Sequence, residues 1–431
     1  MRLLIALTLL ALPARAELPP PVTDEMYLPI DPQEAALGRL LFWDPILSGN
    51  RNISCGTCHH PRFGTSDGLS LGLGEGGIGV GPERRADPAN LPEQRIPRNA
   101  AALFNLGARE FQVLFHDGRV ESDSSRPSSL RTPMEDEMVA GFDGVLSAQT
   151  MFPVLSPDEM AGHYGENDVS IAVRSGRITG DGGAWDLIAR RVAAIPEYAD
   201  RFRETYPHVA AGSPIAFTDI SNAIATFVAD EWRSDGSPFD AHLRGEAPLD
   251  GPAAEGMALF YGPAGCASCH SGPFLTDHAF HATGEPQLGP GKAERFESHH
   301  RDVGRMRVTG RDEDAYRFRT PSLRNVAVTA PYGHAGAFAM LEGFLHHHLD
   351  PSLPYDPEAV LPPLPGATDY LPLEDLRELE AMLAAAEQPA ARLSEREIEA
   401  LLAFLEALTD PAATDASGIP DTVPSGLPVD R

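Results

Sequence analysis

The sequence is short of three things. It has four cysteines in 431 residues, 34 Lys and Arg against 62 Asp and Glu, and no long apolar run after residue 12. The deficit of positive charge gives a net charge of −28. That disfavours nucleic acid as a partner, because phosphates reward Lys and Arg. It suits a basic protein partner drawn in by long-range attraction, although plain solubility accounts for it equally well. A bilayer span needs about 20 apolar residues. Leu3 to Leu12 falls short, and no later segment qualifies, so no stable membrane insertion is expected. With Arg2 before the run and Ala14-Arg15-Ala16 after it, residues 1–16 read as a signal peptide cleaved near Ala16. The mature chain is expected in the periplasm. Period-two alternation is also scarce, which argues against a large sheet.

Four cysteines in an exported chain could form two disulfides. Their spacing points elsewhere. They fall in two copies of one motif, Cys55-Gly-Thr-Cys58-His59 and Cys266-Ala-Ser-Cys269-His270. Each copy follows a stretch of the form AAxGxxLF, at Ala35 to Phe42 and at Ala253 to Phe260. This is an internal repeat of a helix followed by a CxxCH loop. Asp31-Pro32 and Asp250-Gly-Pro252 supply helix starts. Each half also closes on a helix. Ile220, Ile224, Phe227 and Val228 mark one apolar face in the first half. In the second, a Ser394 to Glu397 capping box precedes Ile398, Leu401, Leu402, Leu405 and Leu408. The expected fold is all-α, with two c-type cytochrome domains and long loops. The expected boundaries are residues 17–235 and 236–410, followed by a flexible extension at 411–431.

Cys-x-x-Cys-His is the attachment signature of c-type haem. Its thiols form thioethers with the haem vinyl groups, and its histidine is placed to bind the iron. A lone CxxCH could be half of a zinc site. Two copies with no other cysteine leave little room for that, so two covalent haems are expected. Gly72-Leu-Gly74-Glu-Gly-Gly77 matches GxGxxG, but it lacks the strand before and helix after that a dinucleotide site needs. It reads as a flexible loop near the first haem.

Other motifs accompany the cysteines. The first half has Leu40-Leu-Phe-Trp-Asp-Pro45, Arg98-Asn99, Phe115-His-Asp-Gly-Arg119 and Pro157-Asp-Glu-Met160. The second has Asp302-Val-Gly-Arg305, Thr320-Pro-Ser-Leu-Arg-Asn-Val326 and Thr329-Ala-Pro-Tyr-Gly-His334. On these residues, from about Leu37 to Leu408, the chain resembles the bacterial di-haem cytochrome c peroxidases and their MauG-like relatives.

The resemblance implies a peroxide-reacting haem on Cys55, Cys58 and His59. It implies an electron-transfer haem on Cys266, Cys269 and His270. Glu159 matches the distal carboxylate that moves protons during O–O cleavage, a general base and then acid, and Gln149 and Pro153 match its neighbours. Glu135, Asp136 and Glu137, in an inserted stretch, are expected to be solvated. Glu75 stands where donor-gated peroxidases carry a distal histidine, so an open first iron is expected at rest; the alternative is an iron closed by His60, His116 or His163 as substitute ligand. His116 also replaces a tryptophan between the haems. The second haem's distal ligand aligns with His348, with His347 as runner-up and Met340 as a weaker, core-type candidate. A His/His iron has a lower potential than His/Met. Asn99, through its side chain, and Thr329 and Pro331, through their carbonyls, match a calcium site, whose hard oxygen ligands suit that ion. Arg324 is a candidate haem-propionate partner. The implied reaction consumes hydrogen peroxide. Its electrons come from a small cytochrome c or copper protein, or from Tyr or Trp of a protein substrate. The rival from another class is a pure electron carrier with both irons closed.

Overall fold

The two repeat helices begin where their start signals stand. Asp31 accepts hydrogen bonds from the Gln33 and Glu34 amides at 2.8 and 3.4 Å and caps the helix Pro32–Trp43. The second repeat helix spans Gly251–Phe260. The computed structural model describes residues 17–292, 300–354, 361, 364, 369, 371–387 and 392–431.

The repeated pattern AAxGxxLF has a packing cause. A Cβ on Gly38 would run into the Ala223 carbonyl and the Phe227 Cβ. A Cβ on Gly256 would run into the Ala400 carbonyl and the Phe404 Cβ. Each glycine therefore lets its helix touch the backbone of the helix that closes the same half. Those closing helices are Phe217–Glu231 and Glu395–Glu406. Four residues on, the repeat phenylalanine fills the space beyond the contact. Phe42 lies 5.3 Å from Phe227, and Phe260 lies 5.2 Å from Phe404. All four rings are buried, each contributing roughly 1.5–3 kcal/mol. Ser394 and Glu397 form the expected capping box, with the Ser394 amide and hydroxyl donating at 2.8 and 2.7 Å.

The fold is mostly helical. Strand is confined to short antiparallel pieces among the described residues. Gly77–Ile78 pairs with Arg85–Ala86, and Phe280–His281 with Phe318–Arg319. Val113–Leu114, Val120–Ser122 and Leu130–Arg131 form a three-stranded ribbon. The ribbon folds the inserted stretch back on itself and leaves Glu135, Asp136 and Glu137 exposed.

One expectation is corrected. The segment 411–431 is not a loose extension. Ala413 and Val423 are buried in the core of the first half, with Ile419, Leu427 and Val429 packed beside them. Arg39 donates to the Gly418 carbonyl at 2.5 Å, and Ser425 to Asp44 at 2.6 Å. Thr57, inside the first CxxCH loop, donates to Asp430 at 2.5 Å. The segment has no helical or strand period, so its composition reads as slack. Its apolar side chains nevertheless face one way because turns hold the backbone irregularly.

The halves are joined by buried ion pairs between the motif residues themselves. Arg98 donates to Asp302 at 2.6 and 2.7 Å and pairs with Asp117 at 2.7 Å. Arg305 reaches back to Glu121 at 2.8 Å and to the Gly118 carbonyl at 2.8 Å. Breaking one partner of a fully buried pair strands the other charge, which costs about 3–5 kcal/mol.

Candidate active site

Ser54 opens a short helix, Cys55–Cys58, through a reciprocal bond between its amide and the Thr57 hydroxyl at 3.0 Å. His59 follows, with Nδ1 at 3.0 Å from the Thr65 carbonyl. A carbonyl only accepts, so the proton sits on Nδ1 and the Nε2 lone pair is free for a metal. Burial lowers the His59 pKa, which keeps the ring neutral. His270 repeats the arrangement, with Nδ1 at 3.2 Å from the Leu275 carbonyl. Burial, and then His348, lowers its pKa to about 4. The four cysteines are free thiols, and burial pushes Cys55 and Cys58 up to about 12 and Cys266 to about 11. Two neutral imidazoles of the right tautomer, each beside two unpaired thiols, fit two covalent haems.

The segment from Val145 to Ala161 carries Gln149, Pro153 and Glu159 together. Ser156 caps a wide turn over Pro157–Ala161, its carbonyl accepting from Met160 and Ala161 at 3.0 and 2.9 Å. Burial raises the Glu159 pKa, while the charges of Arg119 and Lys292 oppose the rise. Arg119 stacks over Phe115 at 3.7 Å and pairs with Asp117 at 3.2 Å. Lys292 comes from the second half, and burial, with Arg119 and Arg98, lowers it to about 7. Nothing in its sequence context signals that position.

The glycine loop is held fast rather than flexible. The Glu75 amide donates to the Asp158 carbonyl at 2.9 Å, and a Cβ on Gly74 would strike that same carbonyl. Arg84 clamps the loop by donating to the carbonyls of Leu73, Gly74 and Gly79. The Glu75 side chain is fully buried. Its Oε1 accepts from Asn50, Asn52 and Asn90 at 3.0, 2.9 and 3.1 Å. The loop that could deliver a distal ligand is therefore tied to the turn that carries Glu159.

Of the other histidines, His60 is wedged between Trp43 and Phe63 at 5.6 Å from each. The His116 Nε2 is bound to the Asn99 carbonyl at 3.1 Å. His163 lies 3.7 Å from Glu166.

Three neighbouring residues of Leu341–Leu349 point different ways, because successive helix positions are about 100° apart. His346 faces Glu395 at 3.9 Å, and His347 packs on Phe338 at 4.9 Å. His348 packs on Phe344 at 4.8 Å and is close enough to His270 to disfavour its protonation. One expectation is corrected here. Met340 is 69% exposed and belongs to no core. Arg324 donates to Asp240 at 2.8 Å and to the Pro273 carbonyl at 2.9 and 2.6 Å, which leaves two of its five N–H donors for another partner.

Asn99 is drawn to the Thr329–His334 segment. Its amide donates to the His334 carbonyl at 2.9 Å, and its Nδ2 to the Leu69 carbonyl at 2.8 Å, which leaves Oδ1 free. A Cβ on Gly64 would sit 2.5 Å from the Val328 carbonyl and 3.0 Å from the Thr329 side chain, so the first haem loop lies against this segment. Glu285 was not foreseen. It accepts from both the amide and Nδ1 of His334 at 2.8 and 2.9 Å. Burial alone would raise its pKa, but His334 holds it below the ordinary carboxylate range.

Comparison with known proteins shows the family. The family described as di-haem cytochrome c peroxidase matches residues 32–248. The methylamine utilization protein MauG of Methylorubrum extorquens is 31% identical, over 96% of this chain and 88% of its own. The cytochrome c551 peroxidase of Pseudomonas aeruginosa is 30% identical, over 74% of this chain and 72% of its own. Among solved structures, a MauG-like protein associated with microbial copper homeostasis superposes with a TM-score of 0.60 at 24% identity, covering 96% of this chain and 98% of that one. The di-haem peroxidase BthA of Burkholderia thailandensis gives 0.55 at 21% identity, covering 91% and 90%. Both share the fold. The chain belongs to the di-haem cytochrome c peroxidase family, oxidoreductases that carry two haems and include the MauG proteins.

Proposed function

We propose that this protein is a periplasmic peroxidase that reduces hydrogen peroxide with electrons taken from a redox partner protein, a small cytochrome c or a copper protein. The reading rests on one observation above others: Glu159 is an enclosed carboxyl on a capped turn, with its pKa raised, in the segment that also bears Gln149 and Pro153. Cys55, Cys58 and His59 would hold the haem, whose iron would supply the redox chemistry toward peroxide. Glu159 takes the proton from the near oxygen of bound peroxide and returns it to the departing one, as a general base and then acid. Water leaves, and two electrons and two protons complete the reduction. Cys266, Cys269, His270 and His348 would hold the second haem, which would supply the entry point for electrons. Asn99, Thr329 and Pro331 hold a calcium ion where the halves meet. Residues 17–235 and 236–410 act as the two haem domains, and residues 1–16 direct export.

A second reading, oxidation of Tyr or Trp side chains of a specific protein substrate, is favoured by Glu75. It stands where donor-gated peroxidases carry a distal histidine, and three asparagines hold its carboxylate in place, which supports a first iron open at rest. Adding one equivalent of hydrogen peroxide to the diferric protein tests both readings. Prompt loss of both ferric EPR signals supports an open site and the second reading. No change until one haem is reduced supports donor-gated peroxidase action. Inertness in every redox state removes both and leaves an electron carrier.

A further inference from the structure

One line of side chains in the first half plays no part in the reaction just described. Trp43, the last residue of the first repeat helix, lies against the haem-attachment helix: a Cβ on Gly56, between the two cysteines, would strike its six-membered ring. Its side chain is buried. The next residue, Asp44, is fully buried, and its Oδ2 accepts from the Tyr198 hydroxyl at 2.7 Å. Tyr198 opens the helix Pro196–Thr205, which runs antiparallel to the first repeat helix. At its far end Tyr206 repeats the arrangement, its hydroxyl 2.6 Å from Glu34 Oε1, at the start of the first repeat helix, and 2.8 Å from the Asp219 carbonyl. Phe202 lies between the two tyrosines and stacks on Tyr206 at 5.8 Å. Tyr206 is half-buried, and its ring meets His208, whose side chain is 50% exposed, at 5.7 Å. Eight residues of helix separate the tyrosines, about 12 Å.

We propose that Trp43, Tyr198 and Tyr206 form an oxidation route that carries an oxidising equivalent from the first haem to the surface at Tyr206 when no electron donor is bound. The inference rests on the reading that peroxide reacts at the haem of Cys55 and Cys58. Trp43 gives one electron to the peroxide-oxidised haem and is left as an indole radical cation. Tyr198 returns an electron to the indole and passes its phenolic proton to Asp44. Tyr206 then reduces the Tyr198 phenoxyl, whose proton comes back from Asp44, while the Tyr206 proton goes to Glu34. Per equivalent, the haem gains one electron, Tyr206 loses one electron and one proton, and Glu34 gains that proton. A one-electron reductant in solution, such as a thiol, resets the pair. Burial, and then the adjacent carboxylate, pushes both phenols above the ordinary tyrosine range. Neither therefore ionises at neutral pH, and each must release its proton together with its electron. A satisfied core needs the hydrogen bonds alone; a route also needs the order of indole, phenol and phenol ending at solvent.

The test uses haem-loaded protein, one equivalent of hydrogen peroxide and no donor, freeze-quenched and read by optical absorption and EPR. In the wild type the haem spectrum changes and a tyrosyl signal appears, and a nitroso spin trap leaves its adduct on the peptide containing Tyr206. Tyr206→Phe and Tyr198→Phe each keep the ring packing and should cut that signal at least about tenfold while the haem still reacts. Should either fail to load haem, Glu34→Gln keeps an acceptor but no base, and the same loss is expected. Tyr164→Phe, at a 67% exposed tyrosine beside Arg174, should change nothing. An undiminished radical in the Tyr206 and Glu34 variants, or an adduct on Tyr164 instead, overturns the route and leaves the peroxide site standing. A wild-type haem that ignores peroxide overturns both.

Discussion

The two halves start from one sequence pattern and end as different environments. In each, a glycine seats the repeat helix on its closing helix, a phenylalanine fills the gap, and a histidine follows the cysteines with Nδ1 tied to a carbonyl. The surroundings then diverge. The first loop is covered by the chain's own end, through Thr57 and Asp430, and faces a clamped loop and an enclosed carboxyl. The second loop leaves Ser268 exposed and has His348 nearby. The scaffold is shared, and chemistry is assigned by what is packed around it.

Five substitutions should break or sharpen this contrast. The largest belongs to the first half. Glu159→Gln is expected to slow peroxide turnover by about 10²–10⁴-fold with both haem spectra unchanged. Because the Glu159 pKa is raised, its base form is lost as pH falls through a value above that of ordinary glutamate. The acid limb of kcat/KM should lie correspondingly high and vanish in the variant. A variant that turns over at the wild-type rate would remove the asymmetry at its source.

His348→Ala addresses the second half alone. The low-spin EPR signal of the second haem should disappear and that of the first should stay. Retention of the signal would transfer the role to His347.

Gly38→Ala and Gly256→Ala probe the shared scaffold. Each forces a methyl into a carbonyl of the closing helix, which overpacking data place at about 1–3 kcal/mol. Hydrogen exchange should show the loss in the half that carries the change. Equal loosening of both halves would mean that the buried Arg98, Asp117 and Asp302 pairs make them one cooperative unit.

Asp430→Ala should have the smallest effect, about 1 kcal/mol. It should be read as faster proteolysis of the last residues and a shifted first-haem spectrum only. Unchanged proteolysis would mean that the buried apolar residues of the tail hold it without that bond.

Much of this was legible beforehand. Both helix starts, the capping box at Ser394, the repeat and the two haem loops follow from short-range chemistry. A proline, a capping carboxylate, a 3.6-residue period and a CxxCH all act within a few residues of themselves. The motif residues Arg98, Asp117, Asp302 and Arg305 were visible as motifs, but their pairing with one another was not. Their partners are as far as 204 residues away in the chain. The packed tail reads as slack in the sequence because it buries Ala413 and Val423 without any period.

The sequence by itself determined that there are two haem-attachment loops, each on its own helix, and that the chain is acidic and mostly helical, because these are local or additive properties. Only the tertiary structure turned His346, His347 and His348 to different neighbours, gave Glu75 to three asparagines, and added the charge of Lys292 to the surroundings of Glu159. Those outcomes depend on distances between segments far apart in the chain, and burial, charge and hydrogen bonding act over a few ångströms of space, whatever the separation in sequence.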